Sequence, residues 1–215
     1  MTTNALSFDG TNEGIIVPKG ADIDNIFAGG GIVKIKMNTN SSINLGYNRI
    51  VVKAGISITY ASYPAAYALY INVATSGNNG IWYCNFATPI GTEFELTIEW
   101  NSTTLSTPVF KYDEVVKSTM VVQSPTGTYT TDAGADLVLF NRSSMDRPYK
   151  GVVSNVELIN QGTTKMLLEF DEQSGATVLD TSANSNDGTI SNYDIKMRVY
   201  VDEGSSSTSD MFLMF

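Results

Sequence analysis

Short alternations of apolar and polar residues run along the chain, separated by clusters of Gly, Asn, Ser and Thr. The clearest is Glu93-Phe-Glu-Leu-Thr-Ile-Glu-Trp100. A side-chain period of two puts Phe94, Leu96, Ile98 and Trp100 on one face of a strand and Glu93, Glu95, Thr97 and Glu99 on the other. Gly31-Ile-Val-Lys-Ile-Lys-Met37 reads the same way, with Val33, Ile35 and Met37 opposing Ile32, Lys34 and Lys36. Leu6-Ser-Phe-Asp-Gly10 and Ile15-Ile-Val-Pro18 predict strand, turn, strand. Further strands are predicted over 49–53, 55–60, 66–73, 81–86, 108–112, 115–120, 136–140, 149–159 and 165–170. Gly77-Asn-Asn-Gly80 is the turn of a hairpin.

One segment imitates a helix. Tyr60, Tyr63, Tyr67 and Tyr70 recur at spacings of three and four. Pro64 interrupts them, and their neighbours are β-branched or alternate with period two, so strand, bend, strand is the reading. The sum is an all-β chain, an antiparallel two-sheet β-sandwich of jelly-roll type. Residues 1–201 form that one domain. Residues 202–215 are a polar linker, Asp202-Glu-Gly-Ser-Ser-Ser-Thr-Ser-Asp210, and an apolar peptide, Met211, Phe212, Leu213, Met214 and Phe215. Five apolar side chains in a row call for cover, on their own domain or in a neighbouring subunit.

Four segments in order carry a resemblance. The opening at Leu6–Gly10 and Ile15–Pro18, and the strand introduced by Gly91-Thr-Glu-Phe94, are the first two. The closing strand Tyr149-Lys-Gly-Val-Val-Ser-Asn-Val-Glu-Leu-Ile159 and the turn Asp180-Thr-Ser followed by Asn186-Asp-Gly-Thr-Ile190 complete the set. Over roughly residues 6 to 190 this order resembles the laminin-G-like, concanavalin A-like lectin and glucanase superfamily. Phe94 stands near the usual Trp, and Ala183 where Gly is usual. The resemblance implies two antiparallel sheets, one of them concave. In relatives the concave face or the loop rim binds glycans or calcium, and many members are purely structural. It implies no activity of its own.

Composition narrows the chemistry. The formal charge of −9 argues against contact with bare nucleic acid, which needs clustered Lys and Arg. No apolar run reaches the roughly 18 residues that span a bilayer. There is no histidine, which removes Ser-His and Cys-His catalysis and histidine metal sites. Cys84 lies in an apolar strand with no base beside it, so a buried inert thiol is expected. The sequons at Asn40, Asn101 and Asn141 are no more than an Asn-, Ser- and Thr-rich chain produces by chance. The residues before Leu6 show neither a charged n-region nor an apolar h-region, so folding in a host cytoplasm without a secretory signal is the expectation.

Candidate sites follow from side-chain type. Tyr63, Tyr67, Trp82, Tyr83 and Asn85 are the aromatic and amide groups to test for glycan stacking. Asp132 and Asp136, with Asp113, Asp180 and Asp187, are turn acids that could ligate calcium, the one cofactor considered. Turn capping competes for each. Glu93, Glu95 and Glu99 share a strand face, as paired-carboxylate glycoside hydrolysis requires. The preceding Gly-Thr and a Glu where Asp is needed count against catalysis, and no enzymatic activity is expected. The leading expectation is a structural or adhesive virion protein of a bacteriophage: capsid decoration, head fibre or tail-associated. Its partners would be major capsid or tail subunits and a cell-surface glycan, with a homo-oligomer compatible. A carbohydrate-binding, lectin-like module is the alternative.

Overall fold

The computed structural model describes residues 2–20, 22–39, 48–61, 68–84, 90–101 and 103–202. Over them the chain is strand after strand: β1 (Thr2–Asp9), β2 (Gly14–Val17), β3 (Gly31–Thr39), β4 (Asn48–Lys53), β5 (Ile56–Ala61) and β6 (Ala68–Val73). Next come β7 (Gly80–Cys84), β8 (Glu93–Trp100), β9 (Val109–Tyr112), β10 (Val115–Lys117), β11 (Thr119–Gln123) and β12 (Leu137–Leu139). The last are β13 (Lys150–Asn160), β14 (Thr163–Leu168), β15 (Thr177–Val178), β16 (Gly188–Ser191) and β17 (Arg198–Asp202). A single 3₁₀ turn, Ile195–Met197, is the only helix among the described residues.

The strands pair antiparallel in two sheets. The eight-stranded sheet runs β10-β9-β8-β3-β13-β1-β17, with β14 alongside the far half of β13. The nine-stranded sheet runs β11-β7-β6-β5-β4-β12-β2-β16-β15. Side-chain parity decides how each strand faces. Met37 stands opposite Phe94, Ile35 opposite Leu96 and Val33 opposite Ile98, all buried. They meet Ile56, Ile58, Tyr60, Leu69, Ile71, Val73, Trp82 and Cys84 from the other sheet in one core. A one-residue slip of β8 would put its four apolar side chains in water, at about 1.5–3 kcal/mol each, so the register is fixed.

The motifs of the closing strand and the Asp180 turn have local reasons. The Tyr149 hydroxyl donates to the Asn38 carbonyl at 3.0 Å. It passes over Gly151, at φ +152°, where a Cβ would collide with both groups. The Asp180 carboxylate accepts from the backbone N–H groups of Leu167, Ser182 and Asn186 at 2.7–2.9 Å, and from the Ser182 hydroxyl. Asp187 in turn accepts from the Asp180 N–H at 2.9 Å. Both acids close a turn.

One expectation changes. The strand predicted over 115–120 is two strands, because the chain crosses at Ser118 from the edge of one sheet to the edge of the other. An apolar run on both sides of that crossing hid it. The loop before β3 buries Ile23, Ile26 and Phe27 at one end of the sandwich, with the Phe27 ring 6.0 Å from that of Trp100.

Candidate functional site

On the outer face of the nine-stranded sheet, side chains line up across strands. Arg49 on β4 stands opposite Thr59 on β5, and Thr59 opposite Tyr70 on β6. Tyr70 stands opposite Tyr83 on β7, and Tyr83 opposite Met120 on β11. The residues alternating with them, Ile58, Tyr60, Leu69, Ile71, Trp82 and Cys84, point into the core. A bulge between Arg49 and Val51 turns Arg49 to this face. Its Nη1 donates to Ser57 Oγ at 2.9 Å and to Thr59 Oγ1 at 2.6 Å, which lays the guanidinium along β5. A second row, Ser57, Asn72 and Ile81, runs beside the first.

Arg49, Tyr70 and Tyr83 are half-buried, while Thr59 lies fully covered beneath. Among the described residues the patch carries a guanidinium, two phenol rings, a hydroxyl and a carboxamide, all on paired strands rather than loops. Phenol faces suit the C–H faces of a sugar ring, and guanidinium suits a carboxylate. Strand mounting holds these groups in place before any ligand arrives.

Of the expected glycan contacts, Tyr83 stands in the row. Trp82 is corrected: it has the opposite parity, is 1% exposed, and folds its ring over Gly80 inside the core. Its faces are not available to a sugar. Tyr63, Tyr67 and Asn85 lie outside the described residues, as do Met211, Phe212, Leu213, Met214 and Phe215. Tyr70 and Arg49 were missed. Folding the hairpin at Gly77–Gly80 already brings Tyr70 opposite Tyr83, whereas placing Arg49 requires the strand order and the bulge.

The loop-rim acids do not fit a calcium ion. The Lys53 ammonium, fully buried, reaches Ala135 O at 2.5 Å, Asp24 Oδ1 at 3.2 Å and Asp132 Oδ1 at 3.5 Å. Asp132 Oδ1 also accepts from the Asn25 N–H at 2.6 Å and its Oδ2 from the Tyr129 hydroxyl at 2.6 Å. The place for a cation between the carboxylates is taken by a lysine. Burial, and then the bond to Asp132, hold the Tyr129 phenol far above its usual range. Asp136 caps the Lys19 N–H at 3.0 Å instead of joining Asp132. Asp113 similarly accepts from the Glu95 N–H at 2.8 Å. Among the described residues no three acidic or sulfur ligands converge on a metal position.

The glutamates of β8 belong to a charge ladder on the other sheet. Lys111 pairs Glu99 at 3.0 Å, Lys36 pairs Glu93 at 3.9 Å and Lys34 pairs Glu157 at 3.8 Å. Ser154 also donates to Glu93 at 2.8 Å. General acid catalysis needs a carboxyl held neutral by a dry pocket. These carboxylates face lysines on a sheet surface. The Asn141 sequon is fully buried, its amide donating to Glu13 O at 2.9 Å, so it is no glycosylation acceptor.

No family profile and no curated protein matches the sequence. Solved structures do match the fold. Domains LG4-5 of the mouse laminin α1 chain superpose with a TM-score of 0.52 at 11% identity, over 85% of this chain and 47% of that one. This chain thus spans about half the length of that laminin piece. The CBM40 of the Ruminococcus gnavus IT-sialidase, bound to α2,3-sialyllactose, superposes with a TM-score of 0.50 at 8% identity, over 74% of this chain and 90% of that one. The fold is a concanavalin A-like jelly roll. At such identities the likeness concerns architecture alone.

Proposed function

We propose that the chain is a non-catalytic, lectin-like module that binds glycan on the outer face of its nine-stranded sheet. The observation that carries this reading is the cross-strand row of Arg49, Tyr70 and Tyr83, with the Arg49 guanidinium held on the Ser57 and Thr59 hydroxyls. The cation favours a sugar that bears a carboxylate, on a surface whose overall charge of −9 would otherwise repel it. A CBM40 of the same architecture solved with sialyllactose supports the ligand class. The lysine-paired glutamates of β8 support binding without cleavage.

The test is calorimetric titration with α2,3-sialyllactose and with lactose. Sialyllactose should bind, and lactose more weakly. Arg49→Met should weaken sialyllactose binding about 10- to 150-fold, the equivalent of a charge-assisted hydrogen bond of roughly 1.5–3 kcal/mol. Tyr83→Ala should weaken both sugars. No binding of either sugar, or equal binding by both variants, refutes the reading. A second reading, a structural component of a bacteriophage particle, would use the exposed apolar side chains of β10 and β11 (Val115, Val116, Met120, Val121 and Val122) to contact other subunits. Mass spectrometry of purified particles tests it, and absence of the protein from them would refute it.

A further inference from the structure

The two sheets end together on one side of the sandwich. β10 is the last strand of the eight-stranded order and β11 the last of the nine-stranded order, joined through Ser118 alone. Val115, Val116, Met120, Val121 and Val122 are each about half exposed or more there, at 48–62%. Register places them on both sides of the edge. Val115 stands opposite Tyr112 and Val121 opposite Trp82, on the inner faces. Val116 stands opposite Lys111 and Met120 opposite Tyr83, on the outer faces. β11, Thr119-Met-Val-Val-Gln123, carries none of the charges or prolines that usually guard an edge strand.

We infer that residues 211–215 of a second copy of this chain add as a strand along β11. Met-Phe-Leu-Met-Phe is apolar at every position, so both of its faces match an edge that is apolar within and without. An ordinary alternating strand would match one face only. Reach selects the second copy over the same one. β17, from which the tail departs, lies six strand spacings from β10, about 29 Å at about 4.8 Å each. The direct line to β11 runs through the buried core, so a linker must follow the surface and also cross the gap between sheets, about 10 Å more. From Asp202 to Met211 are nine Cα steps, which span at most about 32 Å fully extended. Donor and acceptor therefore sit on opposite flanks of each copy, a head-to-tail arrangement that closes into a ring or runs on as a filament.

Sedimentation of the full chain over a range of concentrations tests this, with Val121→Lys as the edge variant and Phe212→Asp/Leu213→Asp as the tail variant. Circular dichroism checks that both stay folded. The parent should form oligomers, and each variant alone should self-associate at least tenfold more weakly. Mixed in equal amounts, the variants should pair one to one, since one intact tail and one intact edge remain. Three results overturn the inference: a parent that is monomeric throughout, a tail variant that still dimerises through β11 against β11, or a mixture that stays monomeric.

Discussion

Replacing Lys53 with Met removes one ammonium and keeps most of the unbranched stem that packs around it. Two carboxylates then lose their cation. Asp132 is fully buried, whereas Asp24 keeps a quarter of its side chain in water. Breaking a buried pair by deleting one partner costs about 3–5 kcal/mol, because an uncompensated charge stays behind. In a domain of this size each kcal/mol moves the melting midpoint by about 2–4 °C, so Lys53→Met should lower Tm by about 6–20 °C. The assay is thermal unfolding followed by far-ultraviolet circular dichroism at neutral pH. Adding Asp132→Asn should recover part of the loss, since the two changes share one contact and cannot be additive. EDTA should leave the parent midpoint where it is, because the ammonium fills the cation position. A Lys53→Met midpoint within about 2 °C of the parent, less than about 1 kcal/mol, would refute the argument.

The pair Asp9 and Glu13 should make stability depend on pH. Burial, and then a hydrogen bond with Asp9, raise Glu13 above its ordinary 4.5. Stability from its bound proton is thus present below pH 4.5 and lost as pH rises through the folded value. Asp9 acts in the opposite sense: chiefly the Thr11 hydroxyl depresses it below 3.8, and its contribution is lost as pH falls through the folded value. Glu13→Gln should therefore be more stable than the parent at neutral pH and lose that advantage near pH 4, as urea unfolding at the two pH values would measure; a pH-independent difference contradicts this. Burial pushes the Cys84 thiol up to about 11, so a thiol reagent should label native protein only as fast as it unfolds, and rapid labelling at pH 8 would disprove a sealed thiol. Gly151→Ala meets Asn38 O and the Tyr149 hydroxyl, which overpacking should make about 1–3 kcal/mol worse than Gly134→Ala, also at positive φ but in open space. Equal costs in denaturant unfolding would show that the crowding is relieved elsewhere.

Strand parity was legible wherever apolar and polar residues alternate strictly. β3 and β8 could be oriented from the sequence to the residue, because one slip would expose four core side chains. Parity fails where the pattern is continuous. Arg49-Ile-Val-Val-Lys53 gives no sign that a bulge sends Arg49 outward and Lys53 inward, nor that the buried end finds two carboxylates from distant loops. Trp82 misled because an aromatic beside a turn signals stacking and core packing equally. Only its position one residue from Tyr83 distinguishes the two. Val115–Val122 hid a sheet crossing, since an edge that exposes valine reads like a strand that buries it. Tyr70 with Tyr83 was accessible through the hairpin, whereas Arg49 beside them depends on sheet order, a long-range property.

The pairing of β1 with β17 sets how the domain answers a pull. Thr2 faces Asp202 and Leu6 faces Arg198, so both chain ends leave from the same end of one antiparallel ladder. Tension between the flanking segments would load the five cross-strand pairs one after another, as a zip opens, instead of shearing them together. β17 should peel away at low force while the opposite flank, from β8 to β11, stays intact. Tethered through both ends, the domain would act as a soft, reversible extension element.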